Sequence, residues 1–291
     1  MSGLKARLIS GLTLGAICVF LALAGGWFIF IPLLSLCLVA AREFLHMSRL
    51  RGLSPIRWIC YSFIVIFLSV VFFFNEPEKF TTPLIIILIL FSFLIQTWRN
   101  PRRKNFNLQD LSVTIFISVY TAGLMSHILL LDRLDEVRLA TPELHLLPLI
   151  PVFMAWCFDS GGYFAGKLFG RIKLAPGISP KKTVEGVVGG VICSGAGMVM
   201  MTLICEDLAR LTPHWKAFTF GVVLGIAAQL GDLAMSLVKR DFDVSDTSKV
   251  IPGHGGLLDR MDSIFFTSFT AYYLYLLFTP AGAGPSSQPL M

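Results

Sequence analysis

Three aspartates, and the lysines and arginines around them, carry the chemistry legible in this chain. Asp232, Ser236 and Lys239 are spaced by four and three residues, which puts them on one face of a helix. Asp232 lies within an apolar stretch, where an ionised carboxylate is costly unless paired or metal-bound, so it is a functional candidate. Asp259, Arg260 and Asp262 follow the turn Pro252-Gly253-His254-Gly255-Gly256, whose glycines let backbone N–H groups come close to an anion. Asp259 and Asp262 are three apart at the start of a further helix and face one way. With Asp232 they could gather three carboxylates, hard oxygen donors of the kind Mg²⁺ takes while it bridges substrate phosphates.

Lys181, Lys182, Lys239 and Arg240 flank these acids. Carboxylates with Mg²⁺ and surrounding cations are what phosphoryl or nucleotidyl transfer requires: the metal gathers phosphates, and the cations neutralise charge developing on the leaving group. Structural alternatives exist for single members. Asp232 could pair with Lys239 and lock helices together, Asp259 could cap a helix N-terminus, and Lys181 and Lys182 could be ordinary loop charge. Capping accounts for one acid, not three. Gly161 to Lys167 matches GxxxxGK, but Leu168 follows and no strand is expected ahead of it, so the phosphate-loop reading fails. His254 is expected to contact phosphate or shape its turn, because an anionic phosphate nucleophile needs no strong base.

The elements that must position these residues are membrane helices. Of the 291 residues 55% are hydrophobic and 14% charged, and the mean hydropathy is +0.74; a soluble domain carries about 25% charged residues. The apolar residues fall in blocks long enough to cross a bilayer as helices. The pattern predicts an all-α polytopic protein with nine spans, near 8–24, 27–41, 58–74, 83–98, 108–131, 147–165, 184–205, 217–238 and 263–280. Residues 1–146 read as scaffold helices, 147–280 as the catalytic region and 281–291 as a disordered tail. Alternating the loops puts 19 of the 24 Lys and Arg residues on one side. That side is cytoplasmic by the positive-inside rule, with the N-terminus inside and the C-terminus outside. The net charge of +6 therefore points to orientation and anionic headgroups, not to nucleic acid. None of the six cysteines forms a CxxC pair, so zinc and disulfide readings are weak. Gly186 with Gly190, and Gly221 with Gly225, are spaced for close helix packing.

At these residues the chain resembles the phosphatidate cytidylyltransferase (CDP-diacylglycerol synthase) family. Ser236, Lys239, Arg240, Asp246, Pro252, Gly253, His254, Gly255, Gly256, Asp259, Arg260 and Asp262 match its long, irregular signature. The segment from Asp159 and Ser160 through ISPKKT and Glu185 also looks like the family. The match covers Trp156 to Ser263; the first 146 residues match only in hydropathy. One position departs: Ser245 stands where the family has lysine, and Lys249 is a candidate stand-in.

The resemblance implies that CTP and phosphatidate give CDP-diacylglycerol and pyrophosphate. It implies Asp232 and Asp259 as metal ligands, with Mg²⁺ and a monovalent cation such as K⁺, and a homodimer. Asp232, Lys239, Asp259 and Asp262 are then expected in catalysis, and Lys181, Lys182, Ser236, Arg240, Asp246, His254 and Arg260 in substrate binding. The expected location is a bacterial-type inner membrane, with the site facing the cytoplasm. The alternatives are another CTP-dependent membrane lipid kinase or cytidylyltransferase, and an ion-coupled transporter.

Overall fold

Apolar runs bounded by charged or Gly/Pro-containing breaks must close their backbone hydrogen bonds internally, and they do so as helices. The computed structural model describes residues 15, 18–21, 23–99, 108–138, 146–248 and 256–278. In chain order the helices are α1 Trp27–Leu50, α2 Arg57–Phe73, α3 Glu78–Arg99, α4 Leu108–Ser118, α5 Leu124–Arg138, α6 Leu149–Phe169, α7 Val184–Ile204, α8 Glu206–Leu211, α9 His214–Asp241 and α10 Leu258–Phe278. A π turn, Val119–Gly123, joins α4 to α5. The protein is an all-α membrane protein. Among the described residues, Trp27–Leu50, Glu78–Trp98, Leu108–Leu134, Val184–Ile204 and His214–Asp241 are long and apolar enough to cross a bilayer, and α2 is apolar but shorter. Most of the expected first span and the whole expected tail, 281–291, lie outside the described residues.

Ahead of α1, Gly25 and Gly26 take φ of 62° and 51°. This left-handed backbone suits glycine, so the chain can turn tightly there. Between α6 and α7 the expected loop is partly ordered as an antiparallel hairpin, β1 Lys173–Ala175 and β2 Ser179–Thr183. Pro176 and Gly177 make its turn, closed by Ile178 N donating to Ala175 O at 3.1 Å.

In lipid the helices cannot be driven together by the hydrophobic effect alone, so small residues that permit close packing matter more. A Cβ on Gly189 would lie 2.2 Å from Ala165 Cβ, and one on Gly221 2.4 Å from Ser194 O. These contacts hold α6, α7 and α9 in register, and Gly186, Gly190 and Gly225 lie in the same helix contacts. Two buried clusters result. One joins α1, α2, α4 and α5 to Met235 of α9 and to Leu258, Met261 and Phe265 of α10. The other gathers Ile150, Met154, Met198, Leu224 and Tyr275 from α6, α7, α9 and α10. The ends of α9 and α10 thus pack into the first cluster while their remaining lengths pack into the second.

Candidate active site

Helix α9 presents Gln229, Asp232, Ser236, Lys239 and Arg240 over successive turns. Asp232 forms an ion pair with Lys182 of β2. Lys239 Nζ lies 2.7 Å from Asp259 Oδ1 at the start of α10. Neither residue pairs with the other, so the Asp232–Lys239 lock is not what forms: each reaches to a different element. The hairpin that carries Lys181 and Lys182 is itself anchored. Arg240 Nε donates to Ile178 O at 3.0 Å, and Ile172 N donates to Glu185 Oε1 at 3.2 Å. Thr183 caps α7 by accepting from Gly186 N at 3.2 Å.

At Gly231 the backbones of α9 and α10 nearly touch; a Cβ there would be 2.4 Å from Asp262 O. The absent side chain lets Asp262 sit against α9, where it is 8% exposed and its Oδ1 accepts from Ser263 N at 2.7 Å. Asp232 acts electrostatically on both Asp262 and Asp159 of α6, and Asp159 also acts on Asp262. Lys182 and Arg260 present opposite charge to Asp159, and Lys239 presents it to Asp262. The mutually interacting acids are therefore Asp159, Asp232 and Asp262. Asp159 has no assigned role in the sequence reading, although an ionisable residue inside an apolar helix is itself the signal.

Asp259 holds architecture as well as Lys239. Its Oδ2 accepts from Thr247 N at 3.0 Å, Thr247 Oγ1 at 3.0 Å and Gly256 N at 3.3 Å. The same two stretches, at Thr247–Ser248 and at the start of α10, are also bound by Glu43 of α1, which is 2% exposed. Glu43 accepts from Thr247 Oγ1 at 3.0 Å, Leu257 N at 3.0 Å and Leu258 N at 2.9 Å, and from the Ser248 hydroxyl. Sequence reasoning misses Glu43 as well, because it stands in the part of the chain read only as scaffold.

A cavity of about 420 Å³ opens beside the Lys182–Asp232 pair, lined among others by Asp159, Lys167, Lys181 and Gln229. Gln229 Nε2 is buried with no hydrogen-bond partner among the described residues, which leaves a donor at the cavity wall. Lys167, from the failed phosphate-loop match, reaches this cavity from within α6 rather than from a loop. Ser236 is buried one turn beyond Asp232. Arg260 is exposed. Asp246 is also exposed and accepts from Ser245 Oγ at 3.0 Å. His254, together with Pro252, Gly253, Gly255 and Lys249, lies outside the described residues.

Among the described residues no three His, Cys, Asp or Glu side chains adopt a metal-holding arrangement. Asp232 and Asp259 each face a lysine instead. The donor chemistry nonetheless suits a hard divalent cation. The acids offer oxygen alone, and Asp159, Asp232 and Asp262 crowd like charge that such a cation would relieve.

An acid-and-lysine cavity set among apolar helices fits a membrane enzyme of phosphate chemistry. Residues 5–278 match the cytidylyltransferase family, and the chain belongs to it. A phosphatidate cytidylyltransferase of Bacillus subtilis (strain 168) is 30% identical over 288 residues, covering 96% of this chain and 100% of the relative. One from a Synechocystis strain is 30% identical over 94% of this chain and 97% of its own length. Another, from Staphylococcus saprophyticus, is 37% identical over 62% of this chain and 64% of its own.

Proposed function

We propose that this chain transfers the cytidylyl group of CTP to phosphatidate, giving CDP-diacylglycerol and pyrophosphate. The observation that carries the reading is the Lys182–Asp232 pair at the wall of a cavity that also holds Lys167 and Lys181, in a chain whose full-length relatives bear this activity in their names. A phosphatidate phosphate oxygen attacks the α-phosphorus of CTP. The bond from the α-phosphorus to the bridging oxygen breaks, and its electron pair leaves with pyrophosphate. The attacking oxygen is already anionic, so no residue need remove a proton from it. Lys167, Lys181 and Lys182 neutralise triphosphate charge, and Lys182 exchanges its contact with Asp232 for one with phosphate. Lys239 holds Asp259, and through it the loop at Thr247. Gln229 offers its unpartnered N–H to the substrate.

Mg²⁺ held by Asp232, with Asp159, Asp262 or Asp259 as further ligands, would supply charge neutralisation at the phosphates. Our reading includes K⁺ as a second cation and a homodimer. It also takes the chain to span a bacterial inner membrane nine times, N-terminus inside and C-terminus outside, with the cavity open to cytoplasmic CTP; the 19-to-5 division of basic residues supports this orientation. Purified protein incubated with phosphatidate, labelled CTP and Mg²⁺ should yield a labelled CDP-lipid and pyrophosphate in equal amounts. Labelled product with another lipid acceptor, and none with phosphatidate, would replace this reading.

A further inference from the structure

The end of α1 carries basic side chains to which the reaction above gives no role. Arg42, His46 and Arg49 are spaced by four and three residues, so they project from one helix face, and all three are exposed. Arg57 opens α2 on the far side of the short connection. These four residues, with Tyr61 and Ser248, line a cavity of about 520 Å³. It shares no lining residue with the cavity at Lys182 and Asp232.

Among the described residues, no ion pair ties down the three arginines of this cavity. Arg51, in the same connection, is tied down: its Nε donates to Asp241 O at 2.6 Å and its Nη1 meets Asp243 at 3.0 Å. No carboxylate among the described residues pairs with Arg42, Arg49 or Arg57. The acid that lines the cavity, Glu43, has both oxygens committed to Thr247, Ser248 and the Leu257 and Leu258 amides. A positive-inside bias accounts for basic loops, but lysine serves it as well as arginine and it requires no concave site. Arginine's planar fork is the group suited to phosphate oxygens. Arg57 also stands at a helix N-terminus, where the dipole disfavours a lone cation and favours an anion beside it.

We propose that the Arg42–His46–Arg49–Arg57 cavity is a second phosphate-binding site, separate from the catalytic cavity, for a phosphate group borne by a lipid headgroup or free in solution. The site stands on this geometry whether or not the chain transfers cytidylyl groups. Its occupant would lie against Ser248, hence beside the loop that Glu43 and Asp259 hold.

The test is a binding titration of the purified full chain in neutral detergent, read by calorimetry, with short-chain phosphatidate in one arm and inorganic pyrophosphate in the other. The titration is repeated in Lys181→Gln/Lys182→Gln, to remove the catalytic cavity's contribution. Binding that persists there should weaken at least about tenfold in Arg42→Gln/Arg49→Gln, the loss expected for charge-assisted hydrogen bonds. Arg57→Gln alone should weaken it in the same direction, and it tests the site if the double variant does not fold. Arg42→Lys/Arg49→Lys should fall between, since charge remains and the fork is lost. Residual binding of phosphatidate alone assigns the site to a headgroup, and residual binding of pyrophosphate assigns it to free phosphate. The proposal is overturned if no binding remains in the lysine variant, or if the arginine variants bind as the parent does.

Discussion

Glu43 Oε2 and Thr247 Oγ1 lie 3.0 Å apart although 204 residues separate them in the chain. The same hydroxyl is 3.0 Å from Asp259 Oδ2. It has one proton to donate, so it serves one carboxylate at a time while the Thr247 amide holds Asp259 continuously. Helix α1, Thr247–Ser248 and the start of α10 are thereby one hydrogen-bonded unit beside the candidate site.

Glu43→Gln should lower the thermal unfolding temperature in detergent and reduce turnover, with Glu43→Ala worse. Leaving buried N–H and hydroxyl donors unsatisfied costs about 1–3 kcal/mol. Unfolding and turnover both unchanged in the alanine variant would show that the loop does not depend on this carboxylate.

Asp159→Asn and Asp232→Asn should each cut kcat by more than about tenfold, roughly 1.4 kcal/mol of barrier, with little change in unfolding temperature. Asp259→Asn should cut kcat as well and also lower the unfolding temperature, because it alone of the three accepts from Thr247 and Gly256. Parallel kinetic and melting measurements separate the two patterns. A fully active Asp159→Asn enzyme would remove α6 from the chemistry.

Arg240→Ala should free the hairpin that Arg240 ties at Ile178 O. Lys181 and Lys182 would then be less well placed for phosphate in ground state and transition state alike. Such uniform loss raises KM for CTP more than it lowers kcat. Initial-rate measurements over a CTP range decide it, and a pure kcat effect would contradict the positioning role.

Ser245→Lys should preserve or raise activity, since Ser245 is exposed and hydrogen-bonds only Asp246 among the partners described. If Lys249 substitutes for the family lysine, Lys249→Ala should raise KM for CTP or lipid. Unchanged KM values in Lys249→Ala would mean that the site works with one cation fewer.

Cysteine placed at Lys173 in a cysteine-free background should resist membrane-impermeant labelling of intact cells, and cysteine placed at Arg138 should be labelled. Strong labelling at Lys173 from outside would reverse the orientation and separate the cavity from cytoplasmic CTP.

The helices were legible because length and hydropathy suffice: the expected span at 184–205 is the helix Val184–Ile204. Four-and-three spacing placed Asp232, Ser236 and Lys239 on one helix, but it could not tell which lysine each acid would meet, because that depends on how α9, α10 and the hairpin cross. The hairpin itself escaped notice: Lys173–Thr183 has no clear apolar alternation, and only Pro176-Gly177 marks a turn. Asp159 was within reach, since the cost of a charge in an apolar helix flags it as it flags Asp232, whereas Glu43 falls past the expected span 27–41. The partners of both were not legible, because they come from distant segments.

The grip of Glu43 on the far end of the chain also governs when this protein can finish being made. Helix α1 enters the membrane with a carboxylate whose partners have not been synthesised. At about 5–20 residues per second, the 204 residues to Thr247 take on the order of 10–40 s. During that interval Glu43 keeps its water, since removing an unpaired carboxylate from water is costly. Arrival of Thr247, Leu257 and Leu258 supplies the missing donors. A nascent chain arrested before Thr247 would therefore keep an unmet acid in α1.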